Sequence, residues 1–86
     1  MNKKELINTI FHETPMTKKE IDLVLTKILE TIMISVSNGE KVQLVGFGSF
    51  SSIRRKRNIN SISLRPYNSV VKFSAGKFFK EKVNVY

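Results

Sequence analysis

The segment at residues 42–58 reads VQLVGFGSFSSIRRKRN, and its two parts differ in character. The first part is mostly apolar and turns around Phe47, which lies between two glycines. The second part contains four consecutive cations, Arg54, Arg55, Lys56 and Arg57, followed by Asn58. The first part therefore predicts a buried strand and turn, and the second predicts a strand that contacts a polyanion.

Charge is distributed unevenly along the 86-residue chain, whose formal net charge is +8. No acidic residue lies between Lys41 and Lys80, and the cations of that interval are Arg54, Arg55, Lys56, Arg57, Arg65, Lys72 and Lys77. Such segregation is typical of proteins that bind nucleic acid or an anionic membrane. No apolar run is long enough to span a membrane, and the N-terminus lacks the apolar core of a signal peptide. We therefore expect a soluble, intracellular protein with no membrane partner.

A domain of this size buries only about 60–65% of its unfolded surface, so its stability is marginal. The chain has no cysteine and one histidine, which excludes disulfides and a zinc site. We therefore expect a second subunit to enlarge the core. The sequence shows no nucleophile–base pair, phosphate loop or metal-ligand cluster, so neither an enzyme, a cofactor nor a small-molecule substrate is expected.

The apolar spacing predicts two helices before the central segment and a third at the end of the chain. Asn2 with Glu5, and Thr17 with Glu20, form capping-box patterns for helices that end near residue 13 and at Asn38-Gly39. Strands are expected at residues 41–45, 49–57 and 62–73, with a hairpin tip at 58–61 and a bulge or edge position at Pro66. Ser74 is expected to cap a last helix at residues 75–83, with Phe79 and Val83 facing inward.

The order α-α-β-β-β-α predicts one α+β domain over residues 1–86. Its parts are a helical dimerisation base at 1–40, three antiparallel strands with a protruding hairpin arm at 41–73, and a C-terminal helix at 74–86. The second helix carries an apolar stripe that the short first helix cannot cover. The simplest way to bury this stripe is to pack it against the second helix of another copy of the chain. We therefore predict that Ile28, Leu29 and Ile32 join a dimer core.

Two motifs give the chain a resemblance to a known family. Residues 44–50 read LVGFGSF and residues 73–77 read FSAGK. Together with the start MNKKELI, they are similar to the bacterial DNA-binding proteins of the HU and integration host factor family. This family is an example of minor-groove architectural proteins, so the resemblance implies an intertwined dimer whose two β-hairpin arms embrace the DNA minor groove. It also implies that Phe47, Phe50 and Phe73 form an aromatic centre shared by the subunits.

The chain departs from the family pattern in the arm. The family's arm tip usually reads Arg-Asn-Pro, with the proline wedged between base pairs, but here Arg57-Asn58 is followed by Ile59. The hairpin is also about six residues shorter, which removes about 10 Å of reach if the shortening is shared over two strands. Ile59 is the candidate apolar wedge in place of the proline. DNA binding follows from the cations, whereas wrapping and kinking depend on this tip.

The predicted DNA contacts lie on the arm and at the starts of helices. Strand alternation places Arg54 and Lys56 on one face and Arg55 and Arg57 on the other, which is more charge than protection of a strand edge needs. The predicted contacts are Arg54, Arg55, Lys56, Arg57, Asn58, Ile59, Arg65, Lys72, Lys77, Lys80 and Lys3. The phenylalanines are assigned to the core rather than to base stacking, because they lie between glycines and apolar residues.

These observations predict a histone-like protein that binds, bends or compacts duplex DNA as a homodimer with little sequence preference. It would be cytoplasmic and nucleoid-associated, in a bacterium or in the matrix or stroma of an organelle of bacterial descent. Three alternatives stay open at this point. They are a sequence-preferring subunit of an integration-host-factor-like heterodimer, an RNA-binding basic protein, and a module whose basic hairpin docks on an acidic protein.

Overall fold

The computed structural model describes residues 1–56 and 67–84, which form three helices and a three-stranded antiparallel sheet. In chain order the elements are α1 (Lys3–Glu13), α2 (Lys18–Ser37), β1 (Val42–Leu44), β2 (Gly48–Lys56), β3 (Tyr67–Ala75) and α3 (Lys77–Val83). The strands lie in the order β1-β2-β3. The predicted α+β class and the order of elements are confirmed.

The chain divides into two compact units, Met1–Thr31 and Ile32–Tyr86. In the first unit both helices begin at hydrogen-bonded caps. The Asn2 side-chain oxygen accepts from the Glu5 backbone N–H at 2.9 Å. The Thr17 hydroxyl accepts from the Glu20 N–H at 3.2 Å, while a Glu20 carboxylate oxygen accepts from the Thr17 N–H at 3.0 Å. The second pair completes the predicted capping box.

The second unit begins with the last turns of α2, which stop at the predicted Asn38-Gly39. Gly39 adopts a φ of 85°, in the left-handed region that favours glycine, and its N–H donates to the Val36 carbonyl at 3.0 Å. The same carbonyl accepts from the Ser52 hydroxyl at 3.2 Å. Val36 is buried, and this bond joins the end of the helix to β2.

The sheet is regular over its described length. β2 pairs with β3 in continuous register from Gly48↔Ala75 to Lys56↔Tyr67, and β1 pairs with the start of β2. Gly48 is required where the strands meet, because a Cβ there would lie 2.6 Å from the Ser74 carbonyl oxygen. β1 is shorter than the predicted strand at residues 41–45, since the backbone turns directly after Leu44.

Two expectations about the end of the chain were wrong. Ser74 does not cap the last helix, because β3 continues to Ala75 and Gly76 takes the N-cap position. A backbone hydrogen bond from the Gly76 N–H to the Phe47 carbonyl, at 2.8 Å, holds the chain beside the β1–β2 turn up to that residue. Val83 does not face inward: it is the last residue of α3 and is 66% exposed, whereas Phe79 is half-buried.

The predicted hairpin tip at 58–61, Pro66 and the start of the third predicted strand lie outside the described residues. Among the helices at residues 1–56 and 67–84, none combines the length and the apolar character needed to cross a membrane.

Candidate nucleic-acid interface

The register of the sheet separates two faces of different chemistry. Phe50 lies opposite Phe73, and the next even-numbered residue of β2, Ser52, bonds to the end of α2. Side chains alternate along a strand, so the odd-numbered residues of β2 point to the other side. That side, here called the polar face, consists of Gln43, Ser49, Ser51, Ile53, Val70, Lys72 and Ser74.

An aromatic cluster occupies the side opposite the polar face. Its members are Phe47, Phe50, Phe73 and Phe79, with ring centroids 4.8 Å apart for Phe50 and Phe73 and 5.1 Å apart for Phe47 and Phe79. Aromatic pairs at such distances attract one another beyond the effect of the area that they bury. Phe47 and Phe73 nevertheless remain 43% and 41% exposed in the single chain. The cluster is therefore compact but incompletely covered.

A shallow recess of about 250 Å³ lies at the end of the sheet, beside the β1–β2 turn. Its lining residues include Lys41 and Lys77, together with Gln43, Ser49 and Ser74. The Lys77 side chain is 91% exposed and lies 4.0 Å from a Glu81 carboxylate oxygen, a surface pair of little strength. The recess therefore presents two cations and several hydrogen-bonding groups.

Residues 1–84 match the family model described as bacterial DNA-binding protein. The chain belongs to this family. The predicted resemblance is thereby confirmed over almost the whole sequence.

Individual relatives agree with this assignment. The DNA-binding protein HU of Nostoc sp. is 51% identical, in an alignment that covers 96% of this chain and 95% of the relative. An Anabaena HU–DNA cocrystal structure has a TM-score of 0.82 and 50% identity, and the match covers 98% of each chain. HU from Thermotoga maritima has a TM-score of 0.75 and 43% identity, covering 98% of this chain and all of that one.

The predicted contact residues fall into three groups in this family member. Lys72 lies on the polar face opposite Ser51, and Lys77 and Lys80 lie on α3, with all three lysines exposed. Lys3 is engaged within the first unit, where its Nζ lies 3.2 Å from an Asp22 carboxylate oxygen and donates to the Thr26 hydroxyl.

The third group belongs to the predicted arm. Arg54, Arg55 and Lys56 are the last three positions of β2, paired in register with residues 67–69 of β3. The other four predicted contacts lie outside the described residues, namely Arg57, Asn58, Ile59 and Arg65. Their contact with DNA stays a prediction.

The polar face also contains candidates that the sequence analysis missed. Gln43, Ser49, Ser51 and Ser74 share the face with Lys72, and Lys41 shares the recess with Lys77. The available signal was the alternation of polar and apolar residues in QL and SFS, which places small hydrogen-bonding groups on one side of a strand. Within residues 1–56 and 67–84, no group of three or more His, Cys, Asp or Glu residues could hold a metal ion.

Proposed function

We propose that this protein is a histone-like architectural protein that binds duplex DNA as a homodimer with little sequence preference. The polar face and the basic hairpin that continues from it contact the phosphates and the minor groove. It acts as a nucleoid-associated protein of the cytoplasm, or of the matrix or stroma of an organelle of bacterial descent. The family of the chain, and an Anabaena relative at 50% identity whose structure is an HU–DNA cocrystal, support this proposal.

The observation that carries the proposal is the chemistry of the polar face. Lys72 lies opposite Ser51 and shares the face with further serine hydroxyls and the Gln43 amide, and no acidic residue occurs in the sequence between Lys41 and Lys80. Beyond this face β2 ends in Arg54, Arg55 and Lys56, of which Arg55 is the one in register with the polar face. Phosphate oxygens are recognised by such side chains, which fix the position of a protein on the duplex without reading its sequence.

Low sequence preference follows from the same side chains. Discrimination between base pairs depends mainly on bidentate contacts in the major groove, and the minor groove distinguishes little more than A·T from G·C pairs. A surface of lysine, serine and one glutamine offers few bidentate contacts. Preference among DNA sites is therefore expected to follow deformability, with prebent, nicked or A·T-rich duplexes bound more tightly.

The dimer is supported by apolar surface that the single chain leaves exposed. On α2, Ile28 and Leu29 are 49% and 43% exposed, while Ile32 is half-buried. Among the described residues only two large apolar side chains, Ile21 and Val36, are buried. A second copy that covers α2 and the aromatic cluster would supply the core that a chain of this length lacks. Sedimentation of the protein alone should give the mass of two chains, and a stable monomer would favour the heterodimer.

The experiment that tests DNA binding is a salt titration with a short duplex. Binding through phosphate neutralisation predicts a straight log–log plot of affinity against salt with a slope of about −4 or steeper. A slope near zero would contradict the proposal. The same titration with an RNA duplex of equal length separates it from an RNA-binding function, which predicts the tighter complex with RNA.

Ile59 is proposed as the apolar wedge at the arm tip, where the family usually has proline. Insertion of an apolar side chain between base pairs unstacks them and bends the duplex. Replacement of Ile59 by alanine should reduce the circularisation of short DNA fragments while leaving the salt slope of binding unchanged. Unchanged circularisation would show that the tip does not wedge.

A further inference from the structure

Two apolar side chains interrupt the polar face. Ile53 of β2 lies directly opposite Val70 of β3, next in line after the pair of Ser51 and Lys72 on the same side of the sheet. They are 37% and 39% exposed. The pair therefore forms a small apolar patch on the side of the sheet that is otherwise made of hydroxyl, amide and ammonium groups.

The aromatic cluster does not use this pair, because Ile53 and Val70 point away from it. Opposed β-branched residues stabilise a hairpin through their mutual contact, and that contact requires only the side chain surfaces that face each other. The outer surfaces are left exposed beside Lys72, and the next pair on that side of the register is Arg55 and Asn68. A ligand that covers the patch must therefore also be compatible with the positive charge of the neighbouring Lys72.

We infer that Ile53 and Val70 contact the deoxyribose edges of a DNA minor groove and supply a share of the affinity that does not depend on salt. The inference rests on the proposed function. The walls of a minor groove are formed by the C–H edges of successive sugars, and each sugar is flanked by phosphates. A patch of two aliphatic side chains with Lys72 on the same strand matches this alternation of apolar and anionic surface.

The expected size of the contribution follows from the exposed area. At about 25 cal/mol per Å² of apolar surface, burial of about 55 Å² on these two aliphatic side chains corresponds to about tenfold in affinity. This share differs from that of the cations in its salt dependence. Counterion release changes the slope of the log–log plot, whereas apolar contact shifts the whole line.

The test is the double variant Ile53→Thr and Val70→Thr, titrated with the same duplex over a range of salt concentrations. Threonine keeps the β-branched shape that suits a strand and replaces one methyl or ethyl group by a hydroxyl. We expect an affinity about tenfold lower at every salt concentration and an unchanged slope. An unchanged affinity, or a change confined to the slope, would overturn the inference.

Two further variants separate this role from sheet stability. The exchange Ile53→Val with Val70→Ile keeps the apolar patch and should keep the affinity, even if the threonine pair folds poorly. Val71→Thr makes the same valine-to-threonine exchange at a residue that is 70% exposed on the other side of β3, and it should leave the affinity unchanged. An equal decrease in Val71→Thr would overturn the inference. If the unaltered protein binds duplex DNA without a salt slope, the proposed function itself fails.

Discussion

The two faces of the sheet are made from the same strands but have different tasks. On one side Phe50 and Phe73 bring the aromatic cluster together, and on the other Ser51 and Lys72 form part of the polar face. Adjacent residues of β2 thus belong to surfaces of opposite chemistry. The difference shows how a short chain obtains both an aromatic core and the proposed DNA-binding surface, since the two-residue period of a strand assigns alternate positions to each. It also implies that the two tasks can be separated by mutation.

The largest effect is expected from the aromatic side. Phe50→Ala should lower the free energy of unfolding by about 3 kcal/mol, because it removes a half-buried ring whose centroid is 4.8 Å from that of Phe73. Urea unfolding at one fixed protein concentration measures the decrease. Phe78→Ala, which removes a ring that is 67% exposed, should change stability by less than about 1 kcal/mol. Equal decreases in the two variants would mean that the cluster is not the core.

The second-largest effect on stability is expected at Gly48, where the backbones of β2 and β3 approach closely. Gly48→Ala should cost about 2 kcal/mol, because the new Cβ would lie 2.6 Å from the Ser74 carbonyl oxygen and 2.8 Å from the Phe73 ring. Gly39→Ala is the control, since no atom lies within 4 Å of its Cβ position and only the positive φ opposes it, at about 1 kcal/mol. Thermal unfolding of both variants checks the order. A smaller destabilisation at Gly48 would refute the close approach.

On the polar face the expected effect is on binding and not on folding. Lys72→Gln should leave the free energy of unfolding unchanged and reduce the magnitude of the salt slope by about 2, because each subunit of the dimer loses one phosphate contact. Lys27→Gln on α2 removes another exposed cation, one that pairs with Glu30, and should leave the slope unchanged. Fluorescence anisotropy with a labelled duplex measures both. If the salt slope of Lys72→Gln equals that of the unaltered protein, Lys72 does not contact a phosphate.

The smallest effect concerns the start of α2, in the first unit. Hydrogen bonds from the Thr17 backbone and then its hydroxyl hold the pKa of Glu20 below its ordinary value of 4.5. A lowered pKa means that this carboxylate stabilises the fold above pH 4.5 and that the effect disappears as the pH falls through the lower, folded value. Glu20→Gln keeps the acceptor without the charge, so its small deficit in Tm at about pH 7 should shrink as the pH is lowered below 4.5. A deficit that stays the same below pH 4.5 would contradict the assigned cause.

The parts of the fold that the sequence predicted are those that local chemistry determines. The capping box of Thr17 and Glu20 and the glycine stop at Gly39 each involve neighbouring residues, and both were found where expected. The end of β3 depends instead on a hydrogen bond between Gly76 and the distant Phe47 carbonyl, which no local pattern reveals. A serine before a helix-like pattern therefore misled the capping prediction at Ser74.

The candidate site was predictable to the same extent. Lys72 and Lys77 were predicted as DNA contacts because charge segregation is visible in the sequence, and their contact with DNA stays a prediction. The uncharged candidates on the polar face, such as Ser51, were missed. A serine becomes a candidate contact only when the register shows that it lies on the same side of the sheet as a cation. The same register revealed the patch formed by Ile53 and Val70, which composition alone does not distinguish from core.

The division between the two faces can be tested most directly by cysteine protection, since the chain contains no native cysteine. Ser51→Cys places a thiol on the polar face, and Val71→Cys places one on the opposite side of the neighbouring strand. With a saturating duplex, a thiol reagent should modify Ser51→Cys much more slowly than without DNA, while the rate at Val71→Cys should stay unchanged. DNA protection of Val71→Cys with continued reaction at Ser51→Cys would contradict the central claim that the polar face binds the duplex.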